Sequence, residues 1–236
     1  MKTVVVLQPQ FFPWRGVFEQ IRLADEFVHL DDAQFQKGGF TNRVQVKTAN
    51  GPLWLTVPVL RGGSLPRIDE VEIDYKMNWR EKHLKTLQMS YARAPHVGRM
   101  LAIVEEIYAR TPRTIAELDI AAVERCCAEL GLTPAFTRAS ETPVEGSKTD
   151  RLEALLVPRA TTVYVTGRGA LDYLNEEQLA GAGIEVHVMH YNRAPYPQLH
   201  GDFDPHVSIL DTIANLGPAA HAALDSPAVP WREAVA

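Results

Sequence analysis

The chain has 236 residues, of which 46% are hydrophobic and 22% are charged, and its formal net charge is -5. This acidic balance lacks the basic surface with which proteins bind nucleic acids or acidic membranes, so we expect no nucleic-acid partner. No apolar run approaches the ~20 residues that cross a bilayer, and the start of the chain is too short for the core of a signal peptide. We therefore expect a cytoplasmic protein with no membrane span.

The cysteines and histidines predict neither a disulfide framework nor a metal site. Cys126 and Cys127 are adjacent, and adjacent cysteines rarely bridge each other. We interpret both as small apolar residues on a helix. His187 and His190 are three residues apart in a predicted strand and would face opposite sides of it, so a zinc site that adds His200 is not favoured.

The first third of the chain predicts a β-α-β unit. Residues 4–7 form a short apolar run that is typical of a buried strand. Because proline fits neither a central strand nor a helix interior, Pro9 and Pro13 predict a loop over residues 8–16. A helical pattern begins after Gly16.

A second buried strand is predicted over residues 27–30. It ends in two carboxylates, Asp31 and Asp32. Ligands of open parallel sheets bind at the carboxyl ends of the strands. Both strands of the unit therefore end in polar residues at the edge where such a sheet binds its ligands.

Residues 36–75 predict a small antiparallel insertion. Asn50 followed by Gly51 is a strong signal for a tight hairpin turn. The extended pieces are predicted over residues 44–47, 54–59 and 68–73.

Residues 78–131 are predicted as a helical segment. An amphipathic stripe begins at Trp79. Thr114 is predicted to cap a helix that ends just before Gly131, since threonine favours the N-cap and glycine favours the position after the last turn.

The last third of the chain again alternates between strand and helix. The pattern predicts strands over residues 161–166 and 184–190 around a helix over residues 170–179. Spacing of this kind argues for parallel pairing of the two strands. Ile209 and its apolar neighbours predict a terminal helix.

The predicted fold class is α/β. We expect a parallel sheet of β-α-β units flanked by helices, with a small antiparallel insertion and a helical segment. Residues 1–217 are predicted to form one domain that contains both of these parts. Residues 218–236, which are rich in alanine and proline, are predicted to be a tail that frays.

The loop after the first strand is a candidate for anion binding. Gln8, Pro9 and Trp14 lie between a strand and a helix, where backbone amides at a helix N-terminus can face a phosphate. The loop has neither the Gly-x-x-x-x-Gly-Lys pattern nor the Gly-x-Gly-x-x-Gly pattern of standard nucleotide sites. The alternative is a rigid turn in which Trp14 packs over the sheet.

Asp31 and Asp32 are the candidate catalytic carboxylates. They could hold Mg²⁺, take a proton, or bind a hydroxyl or amine of a substrate. Adjacent residues of an extended chain face opposite sides, so at most one of them reaches a given ligand unless the turn rotates the other. The alternative is an ordinary turn or a helix cap. Gln34, two residues farther on, is a candidate for substrate binding.

Asn42, Arg43 and Lys47 form a second candidate set for substrate binding. Arginine offers a planar fork to a carboxylate or phosphate, and lysine adds a point charge. The alternative is that these cations pair with the two aspartates.

His83 is the candidate proton carrier. Histidine titrates near neutral pH and therefore serves as a general acid or base. The alternative is a core histidine, since His83 lies within an apolar stripe.

A second candidate for anion binding is the loop Gly146-Ser147-Lys148-Thr149. It combines small residues and a lysine with the N-terminus of a predicted helix. Serine and threonine are also common helix caps, which is the alternative interpretation of Ser147. Gly167 follows a predicted buried strand, in the ligand-binding position of such sheets.

Motifs that extend over nearly the whole chain, to about Gly217, match one family pattern. The motifs of the first half are Gln8-Pro9-x-x-x-Pro13-Trp14-x-Gly16, Ala24-Asp25-x-Phe27-Val28-x-Leu30-Asp31-Asp32-x-Gln34-Phe35, Asn42-Arg43-x-x-x-Lys47, Trp54-Leu55-Thr56-Val57-Pro58-Val59 and Ala94-Pro95. Those of the second half are Gly146-Ser147-Lys148-Thr149, Tyr164-Val165-Thr166-Gly167-x-Gly169-Ala170, Tyr196-x-Gln198 and Leu210-Asp211. On these motifs the chain resembles the WbqC-like protein family.

The resemblance implies a bacterial or archaeal cytosolic protein that decorates a sugar or nucleotide-sugar. Members of the family are often associated with the synthesis of O-antigen and related polysaccharides, and a glycine transferase role has been suggested for some. The chain departs from the pattern at Leu7, where the family often has histidine, and over residues 36–41, which differ from the usual lysine and aromatic residue before Asn-Arg. No role is carried over for the missing histidine.

The first functional hypothesis is a group transferase of surface polysaccharide biosynthesis of the O-antigen type. It would move an aminoacyl group such as glycine, or an acyl group, from a donor to an amino-sugar or nucleotide-sugar. The residues assigned to it are Arg43, Lys47 and Lys148 for anionic groups, Asp31 or Asp32 to orient or deprotonate the acceptor, and His83 for proton transfer.

Two further hypotheses belong to other classes. One is a nucleotidyltransferase-like enzyme that activates a carboxylate with ATP, which predicts Mg²⁺ with a nucleotide and phosphate sites at residues 8–16 and 146–149. The other is a non-catalytic binding protein of the glycan-synthesis machinery, which predicts that Trp14, Phe40 and Trp54 form an exposed apolar patch. None of the three sets an oligomeric state.

Overall fold

The computed structural model describes residues 1–60 and 66–235, and its strands form two sheets. The strands are β1 (Thr3–Leu7), β2 (Glu26–His29), β3 (Arg43–Thr48), β4 (Gly51–Thr56), β5 (Ala135–Arg138), β6 (Val163–Thr166), β7 (Glu185–Met189) and β8 (Ala228–Pro230). The central sheet has six strands in the order β5-β2-β1-β6-β7-β8, and β3 and β4 form a separate two-stranded sheet.

The central sheet is mostly parallel. β1 pairs in parallel with β2 and β6, β2 pairs with β5, and β6 pairs with β7, whereas β8 runs antiparallel to β7. The chain leaves β1 toward β2 and leaves β6 toward β7, in opposite directions across the sheet. The crevice between the carboxyl ends of β1 and β6 is therefore the topological switch point, where α/β sheets bind ligands.

Helices cover both faces of the central sheet. They are α1 (Arg15–Arg22), α2 (Trp79–Ser90), α3 (Val97–Ala109), α4 (Ile115–Leu130), α5 (Lys148–Leu156), α6 (Glu176–Gly181), α7 (Ile209–Leu216) and α8 (Trp231–Val235). Short 3₁₀ helices span Ile68–Glu70, Ala139–Glu141, Val157–Arg159, Arg168–Asp172 and Gly217–Ala223. Within the described residues, no helix is both long enough and apolar enough to cross a membrane.

The alternation of side chains along β1 separates two cores. Val5 faces one side of the sheet, where α1, α4 and α7 pack. Val4 and Val6 face the other side, where α5 and α6 pack with Leu152 and Leu179. We call these the α1 side and the α5 side. The predicted α/β fold with a parallel sheet is confirmed.

Two local predictions are confirmed at α4 and at the hairpin. Thr114 caps α4 by accepting a hydrogen bond from the Glu117 backbone, and Gly131 ends the helix in the left-handed conformation. Thr48 pairs with Gly51 across the β3–β4 turn, and Gly51 has a φ of 98°, which suits glycine. Each position has the residue type that its backbone requires.

The predicted extended piece over residues 68–73 is wrong in its first half. Ile68–Glu70 is a 3₁₀ helix. Side-chain hydrogen bonds decide its conformation, because the Glu70 carboxylate accepts from the Arg67 backbone N–H at 3.0 Å. In its second half, Glu72 and Ile73 form isolated bridges with Thr114 and Val59.

The predicted helix over residues 170–179 is interrupted. A 3₁₀ helix spans Arg168–Asp172, and α6 begins only at Glu176. Asn175 sets this boundary because its side chain accepts a hydrogen bond from the Gln178 backbone, as an N-cap does.

The predicted frayed tail is also wrong over residues 228–230. These residues form β8, which pairs with the edge of the sheet at β7. Just before it, Ser226 is fully buried and donates a hydrogen bond to the Glu19 carboxylate on α1 at 2.7 Å. A buried hydrogen bond and a strand pairing hold this segment, despite its alanine-rich and proline-rich composition. The division into a domain and a tail stays a prediction.

Candidate functional site

A cleft of about 240 Å³ lies on the α5 side at the carboxyl end of β1. Its floor is apolar and includes Val6 of β1 and Leu152 of α5. Its polar lining residues are Gln8, Gln34, Lys148, Arg151, Tyr164 and Tyr173. Since these residues come from β1, β6, the loop after β2 and α5, the cleft occupies the switch point of the sheet.

The N-terminus of α5 forms one wall of the cleft. Ser147 is the N-cap residue, yet its side chain accepts no capping hydrogen bond from the residues that the structure describes. Lys148 is exposed and has a φ of 49°, and Gly146 has a φ of 104°. The Lys148 ammonium and the positive end of the α5 dipole together favour an anion at this wall.

Arg151 joins this wall to the loop after β2. Its Nη2 atom lies 2.5 Å from Oδ1 of Asp32, whose side chain is 9% exposed. Arg151 follows Lys148 by three residues, so both lie on the same face of α5. The sequence analysis missed Arg151, although this spacing is a signal that could have identified it.

The opposite wall offers neutral hydrogen-bonding groups. Gln8 and Gln34 are both exposed and lie directly after β1 and in the loop after β2. Amide side chains can donate to and accept from the hydroxyl groups of a ligand. The structure therefore places Gln8, Gln34, Ser147 and Lys148 at the cleft or immediately beside it.

Two tyrosines of the cleft were also missed. Tyr164 is buried, and its hydroxyl donates a hydrogen bond to Oγ1 of Thr166 at 3.3 Å. Burial raises the pKa of Tyr164 and of Tyr173 above the ordinary value, so both phenols stay neutral at pH 7. Tyr164 lies in the apolar strand β6, where the sequence pattern indicates a core residue.

Asp31 is used by the fold and does not line the cleft. Its carboxylate accepts hydrogen bonds from the backbone N–H of Ser140 at 3.0 Å and from the Ser140 hydroxyl at 2.7 Å. Its backbone carbonyl accepts from Asp69 N–H at 3.0 Å. The two adjacent aspartates thus have different partners. Asp31 has the contacts of a residue that stabilises a turn, which was the alternative to a catalytic carboxylate.

The N-terminus of α1 is covered by the chain itself. Ser208 forms a bridge with Trp14, and its hydroxyl donates to the Phe12 carbonyl at 2.8 Å. The Ile209 N–H donates to the Pro13 carbonyl at 2.8 Å. The first turn of α1, residues 15–17, is buried, so this helix N-terminus is not open to an anion.

The remaining residues of that loop pack inside the protein. Pro9 is buried, and the Trp14 ring lies 4.9 Å from the Tyr191 ring and 5.4 Å from the His206 ring. Trp14 also covers Gly16 so closely that an added Cβ would lie 2.3 Å from the indole. The loop therefore resembles a rigid turn with Trp14 packed inside the protein, which was the alternative to an anion-binding loop.

Asn42 and Arg43 lie on the hairpin rather than at the cleft. The Asn42 amide donates to the Val57 carbonyl at 3.0 Å. The Arg43 guanidinium lies over Trp54, 4.2 Å from the ring centroid. Neither of them pairs with Asp31 or Asp32 among the ion pairs of the described residues.

Lys47 is buried and serves as an anchor. Its ammonium donates to Oε1 of Gln198 at 3.1 Å, to the Gly201 carbonyl at 3.3 Å and to the Asp202 carbonyl. With these acceptors, Lys47 ties the segment after β7 to the hairpin.

His83 lies in the core of the α1 side. Its Nδ1 atom is 2.9 Å from the Tyr108 hydroxyl, and its ring packs against Phe11 and Trp79. Burial lowers the pKa of His83 to about 4, so the imidazole is neutral at pH 7. The position matches the core alternative, and His83 does not reach the cleft.

Gly167 follows β6, but it faces the α1 side. A Cβ at this position would lie 3.5 Å from the Tyr191 hydroxyl and 3.6 Å from Nε2 of Gln20. No group of three or more metal-ligating side chains occurs in the part of the chain that the structure describes.

Comparison with known proteins gives a family and an uncharacterized relative. The model of the WbqC-like protein family matches residues 8–223. An uncharacterized protein of Mycobacterium tuberculosis (strain ATCC 25618 / H37Rv), Rv1507c, is 34% identical over 223 residues, which cover 93% of this chain and 96% of the relative. No solved structure matches the chain.

Proposed function

This chain belongs to the WbqC-like protein family, and we propose that it is a group-transfer enzyme that binds a phosphate-bearing sugar, such as a nucleotide-sugar, at α5. One observation carries the proposal. The open N-terminus of α5, with Lys148 beside it, faces a cleft at the switch point of a parallel sheet.

The polar groups of the cleft fit such a ligand by their chemistry. The amides of α5 and Lys148 suit the phosphate, because both favour negative charge. Gln8 and Gln34 suit sugar hydroxyls, since each amide both donates and accepts. The apolar floor lowers the local dielectric beside these groups, which strengthens polar interactions.

We further propose that the transferred group is acyl or aminoacyl and that the acceptor is the amine of an amino-sugar. The amine nitrogen attacks the acyl carbon, the new C–N bond forms, and the bond between the acyl carbon and its carrier breaks. The carrier leaves with the electron pair, and water receives the amine proton. The setting is surface polysaccharide biosynthesis of the O-antigen type, with which the family is associated.

Asp32 is the residue that we assign to the acceptor. Its carboxylate is held by the ion pair with Arg151, which lines the cleft, and it can accept a hydrogen bond from the amine. The role that we assign to Asp32 is to orient the amine. Asp31 receives no catalytic role because Ser140 occupies its carboxylate, and His83 receives none because it is buried in the core of the α1 side.

The first experiment measures the binding of UDP-sugars by titration calorimetry. Replacing Lys148 with methionine should weaken binding by roughly 10-fold to 100-fold, the range for one charge-assisted hydrogen bond. Lys85→Met is the matched control, because Lys85 is an exposed helical lysine on α2. If no nucleotide-sugar binds the wild-type protein, or if Lys148→Met binds as tightly, the proposal is wrong.

Turnover is tested with an amino-sugar nucleotide and activated acyl donors, with the amide product detected by mass spectrometry. Asp32→Asn should lower the rate at least 10-fold, because an amide lacks the charge that orients the amine. Asp31→Asn should mainly reduce stability, since Asp31 binds Ser140. A faster or unchanged Asp32→Asn variant would contradict the role assigned to Asp32.

The two other hypotheses have less support. The ATP-dependent enzyme needs a phosphate site at residues 8–16, where the N-terminus of α1 is covered by Ser208. The binding protein needs one patch formed by Trp14, Phe40 and Trp54, yet Trp14 packs against His206 instead. Phe40 and Trp54 do contact each other on the surface, which calls for a different explanation.

A further inference from the structure

An exposed aromatic surface lies on the β3–β4 hairpin. It consists of Phe40, Arg43 and Trp54, and we call it the hairpin platform. The ring centroids of Phe40 and Trp54 are 6.0 Å apart, and the two residues are 58% and 37% exposed. Exposed aromatic rings in mutual contact, with a cation beside them, are typical of a binding surface.

The register of the hairpin holds the platform in place. Arg43 pairs with Thr56, and Trp54 pairs with Gln45, so Arg43 and Trp54 are diagonal neighbours on the same face. The guanidinium lies 4.2 Å from the Trp54 centroid. Leu53, the neighbour of Trp54 in the strand, points to the other face. The platform is therefore formed before a ligand arrives.

The platform lies at the same end of the sheet as the cleft. The Phe40 carbonyl accepts a hydrogen bond from Phe11 N–H at 3.0 Å. Phe11 follows Gln8 of the cleft by three residues, which span about 11 Å at most. The backbone at Phe40 is therefore separated from the cleft by this short loop and one hydrogen bond.

The cleft is smaller than a whole nucleotide-sugar. At about 240 Å³, it falls below the roughly 300 Å³ at which pockets for small molecules begin. It has room for a phosphate and a sugar, and the rest of a nucleotide-sugar must lie outside it. The outer part of such a ligand is a flat, uncharged aromatic base.

We propose that the hairpin platform stacks the base of the nucleotide-linked ligand whose phosphate binds at α5. This inference rests on the proposed function and names the class of its substrate. Bases of every type stack on exposed aromatic rings, and arginine adds a cation–π contribution. The Arg43 charge also complements the phosphates that follow the base.

The test compares UDP with inorganic pyrophosphate, which lacks the base. Trp54→Ala should weaken UDP binding by about 5-fold to about 100-fold, the range for one lost stacking contact, and leave pyrophosphate binding unchanged. Leu53→Ala is the matched control, because it removes an exposed apolar side chain from the same strand on the opposite face. This control should bind both ligands as the wild-type protein does.

The outcomes separate the two proposals. If the wild-type protein and Trp54→Ala bind UDP equally, the role proposed for the hairpin platform is wrong and the proposed function stands. If the wild-type protein binds neither UDP nor pyrophosphate, both are wrong. Phe40→Ala repeats the test with a residue that is 58% exposed, should Trp54→Ala fail to fold.

A second measurement tests the platform without the phosphate. Uridine should quench the fluorescence of the wild-type protein and leave that of Trp54→Ala unchanged, since Trp54 is the ring that it covers. Quenching by a free hexose but not by uridine would show that the platform holds a sugar, and would overturn the assignment to a base.

Discussion

The helices α4 and α5 both begin at a residue that suits a cap, and they differ in what satisfies their first turns. At α4, the Thr114 hydroxyl accepts from Glu117 N–H at 3.3 Å, and the Glu117 carboxylate accepts from Thr114 N–H at 3.2 Å. At α5, Ser147 makes no such bond with any described residue, and the first turn faces a cleft. One helix start is completed by its own side chains, and the other is the start at which we propose that a phosphate binds.

Two lysines show the same contrast. Lys47 on the α1 side is 5% exposed and donates to three oxygens of the protein. Lys148 on the α5 side is exposed at the mouth of the cleft. A polar group that the protein already satisfies contributes to stability, whereas a preorganised group that faces a cleft contributes to binding. The predictions below test this division, beginning with the largest effect.

Lys47→Met should lower the free energy of unfolding by about 3 kcal/mol, because the Gln198 side chain and the Gly201 and Asp202 carbonyls lose a charged, buried donor. It also removes a positive charge near the buried carboxylate of Asp211. Urea denaturation monitored by circular dichroism measures the change.

Lys148→Met is the matched control for this prediction. Removing an exposed lysine should change the free energy of unfolding by less than about 0.5 kcal/mol. Equal losses in the two variants would show that the division between stability and binding is wrong.

The hydrophobic pattern of the sequence was sufficient to predict the parallel sheet and α4. The strands β1, β2 and β6 are largely apolar and buried on both faces, whereas β7 alternates. β8 escaped prediction because its three residues include a proline and carry no periodic pattern, and Pro230 is acceptable only because the strand lies at an edge. Its pairing depends on a partner distant in sequence.

The candidate site was predictable where position in the chain determines it. Gln8 and Lys148 lie at a strand end and a helix start, and both line the cleft. Lys47 was assigned to a substrate because the acceptors that use its charge lie more than 150 residues away. Arg151 was missed for the same reason, since its partner Asp32 comes from the loop after β2.

His83 should make the protein lose about 2 kcal/mol of stability between pH 7.5 and pH 5. Burial lowers the pKa of His83 in the folded protein to about 4, so the unfolded chain binds this proton more tightly. The contribution of His83 is complete above about pH 6.5 and is lost as the pH falls toward 4. Urea denaturation across this range measures the loss.

His83→Gln provides the control for the pH dependence. Glutamine keeps a polar group beside the Tyr108 hydroxyl but does not titrate. The variant should be less stable at pH 7.5 and should lack this additional loss at pH 5. An identical pH profile in wild type and variant would contradict a buried, neutral His83.

The smallest predicted effect is the loss of stability when the N-cap side chain of α4 or of α5 is removed. Thr114→Ala should lower the free energy of unfolding by about 1 kcal/mol, because the first turn of α4 loses the acceptor for Glu117 N–H. Ser147→Ala should lower the free energy of unfolding by less than about 0.5 kcal/mol, since the Ser147 side chain accepts no capping hydrogen bond within the described chain. Urea denaturation of both variants without ligand measures the difference. If Ser147→Ala costs as much as Thr114→Ala, Ser147 caps α5 in solution, and the amides on which the proposed phosphate site depends are already partly occupied.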